Sequence, residues 1–351
     1  MYLNDKPVVK SRRSSIKKRL LSVAFHSGLV RAGRGLWADS LTVLNYHRIG
    51  DVSQDGFDTF KPTVSASAEG FAAQMDYTLR WFNAVSLGDV VRWLDGQAKL
   101  PPHAALITFD DGYLDNYTLA YPILRERNLP AAIFLTTGHI EQDVPFYWEL
   151  LAYCFYHTGR DAITFPNGAQ MQWKDAAERN RVAMDLAESL KVLPEDEKAA
   201  WVSRLASTLD VSVPGGFFRN LMMTWEQVRE MSRGGIEFGG HTVRHPILSR
   251  VSLERAGAEI SDSKARVERE LGKPVLGFAY PNGGRVDFNR EIEKLAEQAG
   301  YRTAFSLING PTSLREIKRN PFAIRRIFIS HRHSIHEFAV LTNWVNRYRR
   351  D

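Results

Sequence analysis

Two adjacent carboxylates follow a short apolar run near the middle of the chain. Residues 104–109 read AALITF and lead directly into Asp110, Asp111 and Gly112. This pattern, followed by a helical one, predicts a buried strand of a parallel sheet. Ligands bind at the carboxyl ends of such strands, so one carboxylate can serve a metal while the other serves a proton. Helix capping explains a single Asp at this place more readily than two followed by Gly.

A pair of histidines, His241 and His245, follows another predicted strand at residues 236–239. Two imidazoles four residues apart can face one cation if the chain curls after the strand. Asp111 would complete a facial set of three ligands with open positions for water and substrate. The spacing also arises by chance, and a lone His is more often structural.

The elements around these residues alternate between strand and helix. The run at 41–46 predicts a first strand, and further strands are predicted at 104–109, 130–136, 236–239, 275–280, 301–307 and 322–329. This order is typical of a parallel sheet or barrel. It breaks at about residues 141–221, where the pattern predicts a mostly helical insertion over one side of the mouth, including a hairpin that turns at Asn167-Gly168.

Charge is concentrated at the N-terminus of this 351-residue chain. Residues 1–40 hold nine Lys or Arg against two Asp, a net +7, whereas the whole chain is +6. Residues 16–30 could form a helix on an anionic membrane surface, or the arm could be a solvated tail that docks on the domain. A signal peptide fits poorly, and no run approaches the length of a membrane span.

Composition argues against a disulfide-stabilised fold and against a nucleic-acid-binding protein. The single cysteine, Cys154, excludes an internal disulfide framework. The short basic arm and the near-neutral remainder argue against a nucleic-acid binder.

The motif order TFDDG, HTxxH and YPNG resembles the polysaccharide deacetylase family, also called the NodB homology domain or carbohydrate esterase family 4. LNYHRIG and FAYPNG resemble the branch that acts on exopolysaccharides. The resemblance covers about residues 40–330 outside the insertion. It implies an α/β fold, a distorted (β/α)₇ barrel, with residues 1–38 as a basic arm. Residues 39–350 would form the catalytic domain, interrupted by the insertion at about 141–221.

The resemblance also assigns roles within the site. Asp111, His241 and His245 would bind a divalent metal, most often zinc, and Asp110 would be the general base for a water molecule. The backbone N–H of Tyr280 would stabilise the oxyanion of the reaction. Thr242 would orient one of the ligands.

Two family positions are not matched directly. The commonest pattern has an arginine near the proline of the third motif, and Arg326, or less readily Arg325, could supply that charge here. The general-acid histidine finds its nearest match in His331. His331 and the nearby His333 and His336 could instead be surface residues, and His47 after the first strand is a further candidate for the pocket.

The expected activity is removal of N-acetyl groups from N-acetylhexosamine units of a surface polysaccharide or its lipid-linked precursor. The partner would be an N-acetylated glycan, at the cytoplasmic face of a membrane that residues 1–35 could contact. A deformylase or another amide hydrolase on the same scaffold is the enzymatic alternative. A catalytically inactive glycan-binding domain is the alternative from another function class, although it would not need a base beside three ligands.

Aromatic residues of the insertion could stack on sugar rings. We expect most of them to occupy core positions instead: Phe146, Tyr147, Trp148 and Trp173.

Overall fold

Seven parallel strands close into a barrel in the computed structural model, which describes residues 38–344. They follow one another around the barrel in chain order, and the last strand pairs with the first. This confirms the predicted (β/α)₇ barrel. The strands are β1 (Ser40–Tyr46), β2 (Ala104–Asp111), β3 (Ala131–Leu135), β4 (Glu237–Gly240), β5 (Gly277–Ala279), β6 (Thr303–Asn309) and β7 (Ile324–Phe328).

Helices surround the barrel, and several begin or end at residues whose types favour caps. Ser86 and Thr224 each form a capping box, and Gly272 ends a helix in the left-handed conformation. The helices are α1 (Ala68–Trp81), α2 (Leu87–Leu94), α3 (Tyr121–Glu126), α4 (Tyr147–His157), α5 (Ala176–Lys191), α6 (Glu195–Val202), α7 (Leu205–Thr208), α8 (Trp225–Arg233), α9 (Leu253–Leu271), α10 (Arg290–Gln298), α11 (Leu314–Arg319) and α12 (Ile335–Trp344).

Strand residues alternate between the barrel interior and the outer layer. Val43, Leu106, Phe134 and Phe305 belong to one core cluster, whereas their chain neighbours belong to the cluster shared with the surrounding helices. Side chains two residues apart on a strand share a face. Asp110, four residues after Leu106, therefore shares the interior face, and so does Arg326, two residues after Ile324.

The strand register brings Asp111 and the first histidine to the same edge. Asp111 pairs with Leu135 of β3, and Leu135 pairs with Gly240 of β4. His241 follows immediately. A Cβ on Gly240 would lie 2.0 Å from the Tyr301 hydroxyl oxygen, so only glycine permits this close approach.

The insertion has its own hydrophobic core. Side chains of α4, α5 and α7 pack together in a cluster separate from the two barrel clusters, with Leu186 and Leu205 fully buried in it. The predicted hairpin is present as paired strands at Ala162–Thr164 and Gln170–Gln172. Within the described part of the chain, no helix has the length and apolarity needed to cross a membrane. The N-terminal arm lies outside the described residues.

Candidate active site

Three predicted metal ligands meet at the carboxyl end of the barrel. The Nε2 atoms of His241 and His245 each lie 3.6 Å from Oδ1 of Asp111. One ligand atom from each residue can be chosen so that all three lie within 4.8 Å of one another. The structure therefore confirms the grouping that motif spacing predicted.

The chemistry of this group fits a divalent cation. Among residues 38–344, neither carboxylate oxygen of buried Asp111 has a hydrogen-bond partner. Burial, with the neighbouring charge of Asp110, raises the pKa of Asp111 well above its usual range. A bound cation would reverse that effect and satisfy both oxygens.

The two histidines are held as neutral ligands. Burial lowers the pKa of His241 and, more strongly, that of His245. His241 Nδ1 lies 2.7 Å from the Ala279 carbonyl oxygen, which favours a proton on Nδ1 and leaves the Nε2 lone pair directed at Asp111. Thr242 accepts a hydrogen bond from the His245 amide at 2.9 Å and donates one to the His241 carbonyl. It therefore shapes the turn that brings the two predicted metal-ligating histidines together. Both Thr242 and His245 have positive φ there.

Asp110 is buried within a network of donors. Arg326 donates from Nη1 to Oδ1 and from Nη2 to Oδ2, each at 2.7 Å, and Asn45 donates to Oδ2 at 3.0 Å. Burial alone would raise the pKa of Asp110, but the Arg326 guanidinium outweighs it, and the pKa is lowered to about 2. The carboxylate is therefore ionised at neutral pH and fixed in direction.

The contact expected of Arg326 is thus present, whereas Arg325 points elsewhere. Arg326 is fully buried, and its Nε also donates to the Ser306 carbonyl at 3.0 Å. The half-exposed Arg325 lies 3.6 Å from Glu316. Sequence reasoning did not select Asn45, although a polar residue inside the apolar run LTVLNY was a signal for it.

The expected oxyanion role of Tyr280 is corrected by the structure. Its backbone N–H already donates to the Phe305 carbonyl at 3.1 Å, and its buried hydroxyl donates to the Phe322 carbonyl at 2.9 Å. Asn282, two residues later, lines the cleft with a positive φ of 58°. Within residues 38–344 the backbone N–H of Asn282 has no hydrogen-bond partner. Asn282 therefore offers the free donor that Tyr280 lacks.

The structure places His47, the predicted pocket histidine, in the cleft, but it does not place His331, the predicted general acid, there. His47 Nε2 lies 3.9 Å from Oδ2 of Asp110, and its ring lines the cleft. Burial lowers the pKa of His47 to about 4. His331 lies away from the cleft wall, with its amide and Nδ1 both directed at the Val64 carbonyl at 3.1 and 3.0 Å.

The cleft above the three candidate ligands contains about 610 Å³ of space, including the solvent-open region at its mouth. Barrel residues and the segment at 60–63 form part of its wall, and the insertion forms the remainder. Tyr147 and Trp148 line it, and the Trp148 ring centroid lies 4.9 Å from that of His245. Phe146, Trp148 and Trp173 are all buried in hydrophobic cores, so the expectation of core positions holds for three of the four aromatics, and Trp148 also reaches the cleft.

Comparison with known proteins agrees with this geometry. Residues 97–304, more than half of the chain, match the family model described as polysaccharide deacetylase. The chain belongs to the polysaccharide deacetylase family.

Curated relatives cover only part of this chain. It is 23% identical over 235 residues to YxkH of Bacillus subtilis, a protein named as a candidate polysaccharide deacetylase, with 67% of this chain and 54% of that protein covered. It is 34% identical over 76 residues to the peptidoglycan N-acetylglucosamine deacetylase of Bacillus cereus, covering 22% of this chain and 34% of the relative. The chain thus spans about half or less of the length of these relatives.

The present chain shares its fold with a solved deacetylase structure. The Streptococcus pyogenes deacetylase PplD, solved in complex with acetate, has 19% sequence identity to this chain and a TM-score of 0.58. The match covers 86% of this chain and 98% of PplD. At that identity the likeness shows the barrel architecture.

Proposed function

We propose that this protein is a divalent-metal-dependent N-deacetylase, which hydrolyses N-acetyl groups of N-acetylhexosamine units in a surface polysaccharide or its lipid-linked precursor. One observation carries the proposal: buried, ionised Asp110 lies beside the three candidate metal ligands in one cleft. These ligands are Asp111, His241 and His245, and among the described residues the Asp111 oxygens have no hydrogen-bond partner. A glycan-binding domain would need neither the set nor the base. Family membership and the name of the Bacillus cereus relative support the substrate class.

Each residue of the site has a distinct task in this reaction. A divalent metal, held by Asp111, His241 and His245, would polarise the acetyl carbonyl and acidify a water molecule; zinc suits this His₂-carboxylate set. Asp110 accepts the proton of the attacking water, while Arg326 and Asn45 keep its oxygens in place.

The remaining steps use the cleft wall. The Asn282 N–H donates to the acetyl oxygen as negative charge develops on it. When the carbon–nitrogen bond breaks, the proton that Asp110 took from the water returns to the departing amine through neutral His47, whose Nε2 lies 3.9 Å from Asp110 Oδ2. The products are acetate and the free amino sugar. The ring of Trp148 packs against His245 and shields that ligand from water.

Acetate release tests the proposal directly. Substrates are N-acetylglucosamine oligomers and a lipid-linked N-acetylhexosamine, with zinc-loaded protein, chelated protein and the variants Asp110→Asn and Asp111→Asn. We expect zinc-loaded wild type to release acetate and chelated protein to release none. Asp110→Asn should keep the metal and lose a factor of about 10²–10⁴ in kcat, whereas Asp111→Asn should lose the metal.

The exposed carboxylate of Asp76, in a surface pair with Arg127, supplies the control Asp76→Asn, which should retain full activity. If metal binds stoichiometrically but no acetate appears, the proposed activity is wrong. Formyl and cyclic amides are then the substrates to examine.

A further inference from the structure

One face of insertion helix α5 lines the catalytic cleft. The residues concerned are Met184, Ala187, Glu188 and Lys191, at positions i, i+3, i+4 and i+7. This spacing forms a single stripe about 10 Å long on a helix. Met184, Glu188 and Lys191 are partly exposed and face the same cavity as the candidate metal ligands, whereas Ala187 is buried between them and the insertion core.

The opposite face of α5 fixes the direction of this stripe. Val182, Ala183, Leu186 and Leu190 are buried in the core of the insertion. A helix whose other face is packed in a core cannot rotate without exposing that core to water. The stripe is thus a built wall of the cleft and not a loosely held surface.

Buried Glu149 ties the insertion to the barrel next to this wall. Its Oε1 accepts from the Tyr113 hydroxyl at 2.8 Å, and its Oε2 accepts from the Phe60 amide at 2.8 Å. The Tyr113 hydroxyl in turn accepts from the indole N–H of Trp148 at 2.9 Å. These bonds connect α4 to the residue two after Asp111, so the wall and the reacting centre are held in one frame.

The chemistry of the stripe suits a neutral sugar. Lys191 donates from Nζ to Oε1 of Glu188 at 2.6 Å, and the two side chains are 19% and 35% exposed. The pair has no net charge, yet it presents ammonium donors and carboxylate acceptors at the cleft, which match the hydroxyls of a pyranose. Met184 offers an adaptable apolar contact for the C–H face of the ring.

We propose that the α5 stripe is the subsite for the sugar unit adjacent to the N-acetylhexosamine that reacts. The inference rests on the proposed deacetylase activity and names its substrate class: an uncharged oligosaccharide of at least two units, bound beside the insertion. Glu188 and Lys191 bind the hydroxyls of the neighbouring unit, and Met184 contacts its apolar face. The insertion is therefore a specificity element.

The first experiment compares kcat/KM for N-acetylglucosamine with that for its β-linked dimer and tetramer. The test variant is the double substitution Glu188→Gln/Lys191→Met, which removes both charges and leaves neither unpaired. The matched control is Arg181→Met, an exposed cation on the same helix. We expect the ratio of oligomer to monomer kcat/KM to fall about ten-fold or more in the double variant, through KM, because hydrogen bonds to charged groups are lost. Monomer kinetics and the control should match wild type.

A binding measurement separates the subsite from catalysis. Calorimetry with the tetramer in the Asp110→Asn background should show the same loss of affinity when Glu188 and Lys191 are replaced. An unchanged ratio and unchanged affinity in the double variant would overturn the subsite, as would equal wild-type efficiency on monomer and dimer. Absence of acetate from every substrate, with tetramer binding intact and dependent on the pair, would overturn the proposed reaction while supporting the sugar subsite.

Discussion

Asp110 and Arg326 form the buried ion pair on which the proposed reaction depends. Arg326 reaches the carboxylate from the last strand with two hydrogen bonds, and the pair lies over the ring of Phe134 in the barrel interior. A bidentate pair fixes both distance and direction, which a lysine would not do. The arrangement keeps a base ionised at a place where burial alone would protonate it.

The substitution Arg326→Met tests this pair. It leaves Asp110 buried without its cation, so we expect the free energy of unfolding to fall by about 3–5 kcal/mol. The double variant Asp110→Asn/Arg326→Met should regain much of that loss, and neither protein should release acetate. Urea denaturation and acetate assays provide the readouts.

The neighbouring residue supplies the control for that experiment. Arg325→Met removes a half-exposed cation one position away, and it should stay within about 0.5 kcal/mol of wild type. Equal stability of Arg326→Met and Arg325→Met would show that the buried pair does not hold the site.

The two histidine assignments differ in a measurable way. His47→Ala removes the cleft residue proposed to protonate the amine, so kcat should fall by about 10²-fold or more while metal content stays unchanged. His331 lies outside the cleft wall, so the variant His331→Ala should retain most of its kcat. The reverse result, with His331 essential and His47 dispensable, would reject the assignment.

At the scale of elements, β4 and the turn after it determine the geometry of the candidate metal site. Two glycines, Gly239 and Gly240, let β4 approach β3 and Tyr301 closely enough for His241 to face Asp111. The turn then needs positive φ at Thr242 and at His245. Backbone strain of this kind persists only where surrounding contacts hold it.

The substitution Gly240→Ala measures that close approach. Its Cβ would lie 2.0 Å from the Tyr301 hydroxyl oxygen, so the strand or the ring must shift, and we expect a loss of about 1–3 kcal/mol in denaturant unfolding. Gly257→Ala on α9 is the control, because its Cβ would meet Leu295 at an ordinary 3.6 Å and alanine favours a helix. Equal midpoints for the two variants would contradict the steric argument.

At the scale of the whole molecule, the charge of the N-terminal arm contrasts with the near-neutral remainder. Nine Lys or Arg within residues 1–40 carry all of the net positive charge. We propose that this arm contacts the anionic cytoplasmic face of a membrane, where each cation near the surface contributes about 1 kcal/mol. Such contact would bring the cleft to a lipid-linked glycan.

Vesicle partitioning tests the arm. The full chain should bind anionic vesicles at low salt and release them at high salt, because exposed charges are screened. A chain lacking residues 1–35 should not bind, and neither protein should bind neutral vesicles. Undiminished binding after truncation would remove the basis for membrane contact.

The amino-acid sequence alone, with its family resemblance, predicted the barrel and the grouping of the three candidate metal ligands. Alternating strand and helix patterns indicated a parallel sheet or barrel, and the family resemblance narrowed this to a (β/α)₇ barrel. Carboxyl ends of parallel strands meet at one edge. Asp111, His241 and His245 follow two such strands, so their grouping depends only on this regularity. Local signals such as the cap at Ser86 were equally readable, because they involve residues three apart in the chain.

Only the tertiary structure decided the contacts that depend on closure and backbone direction. Arg326 is chosen over Arg325 because strand alternation and barrel closure bring one of two adjacent arginines to a carboxylate 216 positions away. Asn282 replaces Tyr280 as the free amide because φ at the turn sets where each N–H points. Helical spacing of apolar residues in α5 indicates which face is buried, but only the tertiary structure shows that its Met184, Glu188 and Lys191 face the cleft.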